Sequence, residues 1–288
     1  MSRFEKLHPL YQLVFFLVSL IIPICAGNPF FSTASLVGAL AYSFVRNGAK
    51  AFKTLACSVL VIIAVGVFNM LFAHYGQDDL FMLGDIHFTF QALFFGLNQG
   101  VILSSVFIWF TFFGRILDSE RIIYLFRFAP KIALTFSIVL GFIPRFLKKL
   151  GDIKTARLAL SGGEREVSLK GRFKEAVSDF SALVSYALEA GIITADSMSS
   201  RNYNPRAVSP KRFHFTKSDI VLIILNLASF LYIILVKLNG DISFIFEPET
   251  YSKRLSIPAL AVFILLELSV SFIDLKENYR WKKSRVKV

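Results

Sequence analysis

The chain has 288 residues, of which 55% are hydrophobic and 32 are Phe, and its formal net charge is +12. A soluble domain is usually about 45–50% apolar, so this composition and the mean hydropathy of +0.60 exclude an ordinary soluble protein. In so hydrophobic a chain, the positive charge indicates the cytosolic loops of a membrane protein rather than nucleic-acid binding.

Four apolar runs in the first half of the chain approach the roughly 20 residues that a membrane-spanning helix needs. These runs are residues 10–26, 30–45, 51–73 and 88–113. Gly27-Asn28-Pro29 ends the first run, because proline cannot continue a helix. Residues 74–87 have three Asp and no Lys or Arg, which predicts an outer loop. Trp109, near the end of the fourth run, is typical of an interfacial aromatic residue.

The middle of the chain is more polar. Residues 115–128 are basic and amphipathic, which predicts a helix at the membrane surface. Residues 132–143 are apolar but too short to span, and Pro130 and Pro144 bracket them, so we expect a buried or re-entrant helix. Residues 144–217 are predicted to be cytosolic.

Two further spans are predicted at residues 220–236 and 257–273, separated by a polar loop at residues 239–254 and followed by a basic tail. The expected fold is therefore an all-α integral membrane protein with about six transmembrane helices and two long amphipathic cytosolic helices. It divides into a first membrane part (1–143), the cytosolic helices (144–217) and a second membrane part with the tail (218–288).

The distribution of basic residues gives the orientation. With both termini in the cytosol, 29 of the 32 Lys and Arg lie on the cytosolic side, and only Lys237, Lys253 and Arg254 lie outside. This distribution follows the positive-inside rule. The apolar runs include both cysteines, Cys25 and Cys57, so neither a disulfide framework nor a metal-ligand spacing is present.

The two cytosolic helices are predicted from apolar residues that recur at helical spacing. In the second helix these residues are Phe173, Val177, Phe180, Leu183, Val184, Ala187 and Leu188. In the first, from Pro144 to about Leu160, they are Phe146, Leu147, Leu150 and Ile153. Such helices either pack on each other or on anionic lipid, or place their ends in grooves of a cytosolic partner.

The motifs of common catalytic sites are missing from the sequence. It contains no Gly-x-x-x-x-Gly-Lys-Ser/Thr, so we expect no ATP binding by a P-loop, and the four His are scattered. Glu267 is the main ionisable residue within a predicted span. An intramembrane carboxylate indicates either proton or substrate handling or a hydrogen bond to a neighbouring helix, for example to Asn226.

Several motifs resemble the transmembrane T component, the energy-coupling subunit, of energy-coupling factor (ECF) transporters. They are Leu7-His8-Pro9, Asn28-Pro29, Pro130 with Ile143-Pro144-Arg145, and two cytosolic helices that end near an Ala-Arg-Gly-like motif. The second motif is Ser200-Arg201-Asn202, preceded by Asp196-Ser197-Met198 and followed by Tyr203. The first departs from the pattern, because Leu160-Ser161-Gly162 has no arginine. Arg157 or Arg165 is its nearest substitute.

This resemblance implies a non-catalytic subunit that binds no cofactor or metal. Two cytosolic ABC ATPase subunits would dock on the two motifs, and a separate membrane protein, the S component, would bind a vitamin or metal ion. The docking residues would be Leu160, Ser161 and Gly162 in the first motif, and Ser200, Arg201 and Asn202 in the second. The location implied is a bacterial or archaeal plasma membrane, with the lipid bilayer as a further partner and no nucleic acid.

Two other functions compete with this interpretation. A self-contained secondary transporter usually has polar residues and broken helices at the membrane midplane and an internal repeat, whereas these spans are mainly aliphatic and Phe. A membrane-embedded transferase would need Asp, Glu or His clustered near the membrane face, and the sequence shows no such cluster.

Overall fold

The computed structural model describes residues 3–72, 79–83, 86–126, 129–161, 168–202, 215–245 and 251–285. These residues form helices and four short strands. The helices are α1 Arg3–Lys6, α2 Pro9–Ala26, α3 Pro29–Asn47, α4 Ala51–Phe72, α5 Phe90–Ile116, α6 Ser119–Leu125, α7 Pro130–Leu160, α8 Leu169–Ser200, α9 Lys217–Leu238 and α10 Ile257–Arg285. A single 3₁₀ turn, Gly48–Lys50, joins α3 to α4. The predicted helical fold is therefore confirmed in outline.

The two segments predicted as polar loops contain strands. Strand β1 (Asp79–Leu83) pairs antiparallel with β2 (Ile86–Thr89), and β3 (Ile242–Ile245) pairs in the same way with β4 (Tyr251–Leu255). Each hairpin joins two consecutive long helices, so these connections are more ordered than loops. Residues 73–78, 84–85 and 246–250 of the two loops lie outside the described residues.

The chain forms two compact units. One contains residues 1–118 and 212–288, and the other contains residues 119–211. The first unit includes α1–α5, α9 and α10, and the second includes α6, α7 and α8. The predicted boundary at residues 143 and 144 falls inside α7, because the short helix predicted at residues 132–143 does not end at Pro144.

Six helical stretches of the described chain are long and apolar enough to cross a membrane. They are Pro9–Ala26, Pro29–Phe72, Phe90–Ile116, Leu169–Ser200, Lys217–Leu238 and Ile257–Lys276. The stretch Pro29–Phe72 contains both the second and the third predicted spans, divided by the 3₁₀ turn. Leu169–Ser200 is α8, which the sequence analysis assigned to the cytosol. The composition thus supports a multi-pass membrane protein, although the six stretches differ from the six predicted spans.

Two prolines lie inside helices rather than at their ends. Pro144 is in the interior of α7, and Pro23 is in the interior of α2. A proline inside a helix removes one backbone hydrogen bond and crowds the preceding turn, which usually ends a helix in water. Neighbouring groups satisfy the freed carbonyl in membrane-spanning helices, of which α2 is a candidate, and α7, which is not among the candidate spans, also continues through Pro144. The prediction of a separate helix at residues 132–143 was therefore wrong.

An aromatic cluster fixes the N-terminus to the first unit. The Phe4 ring is fully buried and makes edge-to-face contacts with Tyr11, Phe15, Phe16 and Tyr42. The backbone N–H of Phe4 donates to Asp274 Oδ1 at 2.9 Å, which ties α1 to α10. This contact joins the two ends of the described chain within one unit.

Trp109 lies in the same cluster rather than at a lipid interface. Its ring is fully buried and packs on Phe15, Phe16 and Tyr42, with ring centroids 5.4–6.0 Å apart. The indole N–H has no hydrogen-bond partner among the described residues. The prediction of an interfacial Trp was wrong, because helix packing buries this end of α5.

Helices α4 and α5 approach each other closely at glycines. A Cβ atom on Gly96 would lie 2.5 Å from Asn69 Cβ, and one on Gly100 would lie 2.8 Å from Ile62 Cα. These distances are shorter than the closest approach of two carbon atoms that are not bonded to each other. Gly96 and Gly100 are four residues apart, which is the small-xxx-small spacing that lets membrane helices pack backbone to backbone.

We expect Gly100→Ala to lower the free energy of unfolding by about 1–3 kcal/mol, because the added methyl group forces α4 and α5 apart. Gly114→Ala is the matched control on the same helix, since a Cβ there meets nothing within 4 Å. Denaturant unfolding in detergent micelles measures the difference. Equal stability of the two variants would show that the helices can separate without loss.

His8 caps the N-terminus of α2 and contacts Phe215, which precedes α9. Its Nδ1 accepts a hydrogen bond from the Leu10 N–H at 3.2 Å, and its ring stacks on Phe215 with centroids 3.6 Å apart. Burial lowers the pKa of His8 below its ordinary value, and the Asp219 carboxylate opposes that shift. Protonation of Nδ1 would remove the cap acceptor, so the folded state favours the neutral ring.

The stability of the first unit should therefore depend on pH. A histidine whose pKa is lowered by folding contributes stability above its ordinary value of about 6.5, and loses it as pH falls through the folded value. We expect a lower free energy of unfolding at about pH 5.5 than at about pH 7.5. The His8→Asn variant keeps a cap acceptor but does not titrate, so it should show a smaller dependence. An unchanged dependence would assign the effect to another group.

Candidate functional site

Helices α7 and α8 pack on each other through a charged contact. Arg157 lies 3.2 Å from Glu175 Oε2 and 3.1 Å from Asp179 Oδ2, and the Asp179 side chain is buried. The angles at Arg157 Nη1 and Asp179 Oδ2 do not meet hydrogen-bond geometry, so the contact is mainly ionic. Further along the pair, the Phe146 ring lies edge-on to Tyr186, and Lys149 Nζ lies 4.9 Å from the Tyr186 ring centroid.

The order of these contacts gives the direction of the two helices. Arg157, near the end of α7, faces Glu175 near the start of α8, whereas the earlier Phe146 faces the later Tyr186. The helices are therefore antiparallel. Ser200 lies about 25 residues after Glu175, and Leu160 lies about three residues beyond Arg157 in the opposite direction. The two C-terminal ends are therefore roughly 42 Å apart along the pair at 1.5 Å per residue.

The first motif is at the C-terminal end of α7. Leu160 is the last helical residue, and its side chain is 90% exposed. Ser161 is the C-cap: its N–H donates to the Arg157 carbonyl at 3.0 Å and its Oγ donates to the Leu158 carbonyl at 3.1 Å. Gly162 lies outside the described residues. This end of α7 thus exposes a leucine beside a capping serine.

The second motif is at the C-terminal end of α8. Ser200 Oγ donates back to the Asp196 carbonyl at 2.9 Å, and the Arg201 N–H caps the helix by donating to the Ser197 carbonyl at 3.2 Å. Asn202 follows with φ +50°, the left-handed conformation in which helices often end. Asn202 therefore ends α8 in a turn that glycine adopts most readily and that Asn tolerates.

The Arg201 side chain is exposed. Within the described ranges its guanidinium has no hydrogen bond or ion pair, so only its backbone caps the helix. Arg157 differs, because it is occupied by Glu175 and Asp179. That pairing makes Arg157 an unsuitable substitute for the arginine missing from the first motif, and Arg165, the other candidate, lies outside the described residues.

The apolar residues predicted on one face of α8 do lie on one face, but α7 does not cover them. Glu175, Asp179 and Tyr186 contact α7, and the apolar residues lie on the opposite side of the helix. Their exposed members are Phe173, Val177, Phe180, Val184 and Leu188. Phe173, Phe180 and Leu188 are each at least 65% exposed. The possibility that the two helices bury their apolar faces on each other is therefore wrong for α8.

Glu267 lies in the first unit and is fully buried. A Cβ atom on Gly38 of α3 would lie 2.7 Å from Glu267 Cβ, so the glycine makes room for the glutamate on α10. The expected bond to Asn226 is not formed, because Asn226 Nδ2 donates to the Leu222 carbonyl of its own helix. Glu267 is thus packed between helices of the first unit.

Sequence reasoning located the two helix ends but missed the contact that orients them. The sequence analysis names Arg157 as a substitute for the missing motif arginine and predicts no partner for it on the second helix. The available signal was the ion-pair chemistry of Arg157 with Glu175 and Asp179 on a second helix. No model of a known protein family and no curated protein matches the chain.

Removal of the buried carboxylate should loosen the α7–α8 pair. In Asp179→Asn the charge that faces Arg157 is lost, and we expect the local free energy of opening to fall by about 1–3 kcal/mol. Hydrogen exchange of both helices in detergent measures this change. Asp196→Asn, at an exposed position of the same helix, is the control and should leave exchange unchanged. Equal protection in both variants would show that the ion pair does not hold the helices together.

Proposed function

We propose that the chain is the transmembrane coupling component of an ECF-type importer. In this role it links ATP hydrolysis by two cytosolic ABC ATPase subunits to a separate membrane protein that binds a vitamin or metal ion. The chain itself catalyses no reaction. The observation that carries the proposal is the antiparallel α7–α8 pair, whose C-terminal motifs are both exposed and lie at opposite ends.

The separation of the two ends supports two docking sites rather than one. At roughly 42 Å, the two ends are too far apart to enter one groove. A pair of ATPase subunits provides two grooves, and an antiparallel helix pair places one helix end in each. The Arg157 ion pair fixes the spacing, because it sets how far one helix is shifted along the other.

The end of α8 has the chemistry of a groove contact. Arg carries a delocalised charge and five N–H donors, so a guanidinium that has no internal partner suits an acidic residue or a set of carbonyls in a groove. Asn202 follows Arg201 in a left-handed turn, so Arg201 lies at the exposed C-terminal end of α8.

The end of α7 provides a different contact. Leu160 is 90% exposed, so this end offers an apolar side chain and a small hydroxyl where the other end offers a charge. Binding at this end would come from burial of Leu160 rather than from an ion pair. The ATPase docking would therefore depend more on Arg201 than on Ser161.

The orientation follows from the charge distribution. Both termini and the second unit lie in the cytosol of a bacterial or archaeal cell in this proposal, because 29 of the 32 Lys and Arg then face inward. Substrate specificity belongs to the separate binding protein. The exposed apolar face of α8 can pack against the bilayer surface or against that binding protein.

The test is the recovery of ATPase subunits with the chain purified in mild detergent from its native membrane. We expect Arg201→Glu to abolish or strongly reduce recovery at equal membrane expression. Truncation of one member of a buried charge pair costs about 2–5 kcal/mol, and each 1.4 kcal/mol corresponds to about a tenfold loss of affinity. Ser161→Glu should have a smaller effect.

Lys148→Glu is the matched control, because it makes the same charge change at an exposed site in the middle of α7. Arg201→Lys should recover part of the binding, since it keeps the charge but loses the guanidinium fork. Full recovery of ATPases with Arg201→Glu would contradict the docking role. Wild-type chain that purifies alone and transports a substrate alone would favour a self-contained secondary transporter.

A further inference from the structure

A cavity of about 550 Å³ lies between α3, α4 and α5 in the first unit. It is lined by the C-terminal turns of α3 and α5 and by the first half of α4, which follows the 3₁₀ turn Gly48–Lys50. Because α3 and α5 end where α4 begins, the cavity reaches one end of these three helices. We call this end of the cavity its mouth. Neither the coupling proposal nor the two helix-end motifs use this site.

Three cations lie at the mouth of the cavity. They are Lys50 in the turn, Lys53 in the first turn of α4 and Arg115 in the last turn of α5. Arg115 Nη1 donates to Asn47 Oδ1 at 3.4 Å, and its guanidinium lies 5.9 Å from the Phe112 ring centroid. These contacts hold the guanidinium at the mouth.

The mouth has an excess of positive charge. No Asp or Glu lines the cavity among the described residues, and neither lysine has an ion pair there. Three cations that converge on one opening and lack an acidic partner favour an anion. Basic pockets between membrane helices on the cytosolic side are typical sites for lipid phosphate groups.

The part of the cavity farther along α4 from these cations is apolar. Cys57, Val61 and Phe107 line it, and Phe107 is 56% exposed. Two hydroxyls beside it bond to backbone carbonyls: Ser104 Oγ donates to the Ser58 carbonyl at 3.2 Å, and Ser58 Oγ donates to the Leu55 carbonyl at 2.8 Å. From Lys50 to Val61 the wall rises about 16 Å at 1.5 Å per residue. That length suits a hydrocarbon chain that extends from a charged head.

We propose that this cavity binds one anionic phospholipid. Its phosphate lies at Lys50, Lys53 and Arg115, and one acyl chain lies along Cys57, Val61 and Phe107. The bound lipid connects the α3–α4 turn to the end of α5. This site requires only that the chain spans a membrane, and it stands or falls separately from ATPase docking.

The test is native mass spectrometry of the full chain in detergent, titrated with phosphatidylglycerol or with phosphatidylcholine of the same chain length. Phosphatidylglycerol has a net negative head, whereas phosphatidylcholine has the same phosphate with a cation. We expect one phosphatidylglycerol to bind at least tenfold more tightly than phosphatidylcholine. Equal affinity for the two lipids would overturn the proposal.

Two variants test separately the contact with the lipid phosphate and the contact with its acyl chain. The triple variant Lys50→Gln, Lys53→Gln, Arg115→Gln should reduce phosphatidylglycerol affinity at least tenfold. Cys57→Phe keeps the three cations but fills the apolar part, and it should also reduce that affinity at least tenfold. Full affinity in either variant would show that the lipid binds elsewhere.

The control for net charge is Lys131→Gln, Lys148→Gln, Lys170→Gln, which removes three exposed cations outside the cavity. This variant should retain the wild-type affinity for phosphatidylglycerol. An equal loss of affinity in the two triple variants would show that the binding depends only on the net charge of the protein. Inorganic phosphate is the remaining competitor. It should not displace phosphatidylglycerol at equal concentration, and displacement would identify a phosphate site without a lipid chain.

Discussion

The ion pair of Arg157 with Glu175 and Asp179 determines which side of α8 faces α7 and which side is exposed. It joins α7 to α8 through a buried carboxylate on one side of α8. A buried carboxylate that lost its partner would be costly, so this side of α8 remains against α7. The apolar side must then face away, and both C-terminal ends remain exposed. The candidate site therefore depends on a contact that lies in neither motif.

The sequence predicted the long helices because the physical requirement is simple: a span needs about 20 apolar residues, and few other structures produce such runs. It failed at Pro144, where proline was expected to end a helix. Proline often ends or kinks a helix, but α7 continues through it. The hairpin strands were missed because each is only four or five residues long, too short for a periodicity to identify.

For the site, periodicity predicted where α7 and α8 end but not which of their faces meet. The usual assumption is that an apolar face packs inward. In α8 the charged residues make the internal contact and the apolar residues are exposed, so the assumption reversed the orientation. The interfacial position expected for Trp109 and the hydrogen bond considered between Glu267 and Asn226 were wrong for a related reason. Both residue types were assigned from their chemistry alone, and burial by neighbouring helices overrides that assignment.

The composition of α8 alone suits a membrane span, and its partner helix argues against one. α7 carries Lys148 and Lys154 at exposed positions and Lys149 against the Tyr186 ring. A helix held to such a lysine-rich partner through a buried ion pair would carry those charges into hydrocarbon, at a cost of about 2.5–3.5 kcal/mol for each Lys at the bilayer centre. The apolar face of α8 is better covered from one side, by a protein partner or by the membrane surface, while α7 remains in contact with water. This asymmetry is what the proposed coupling role requires of α8.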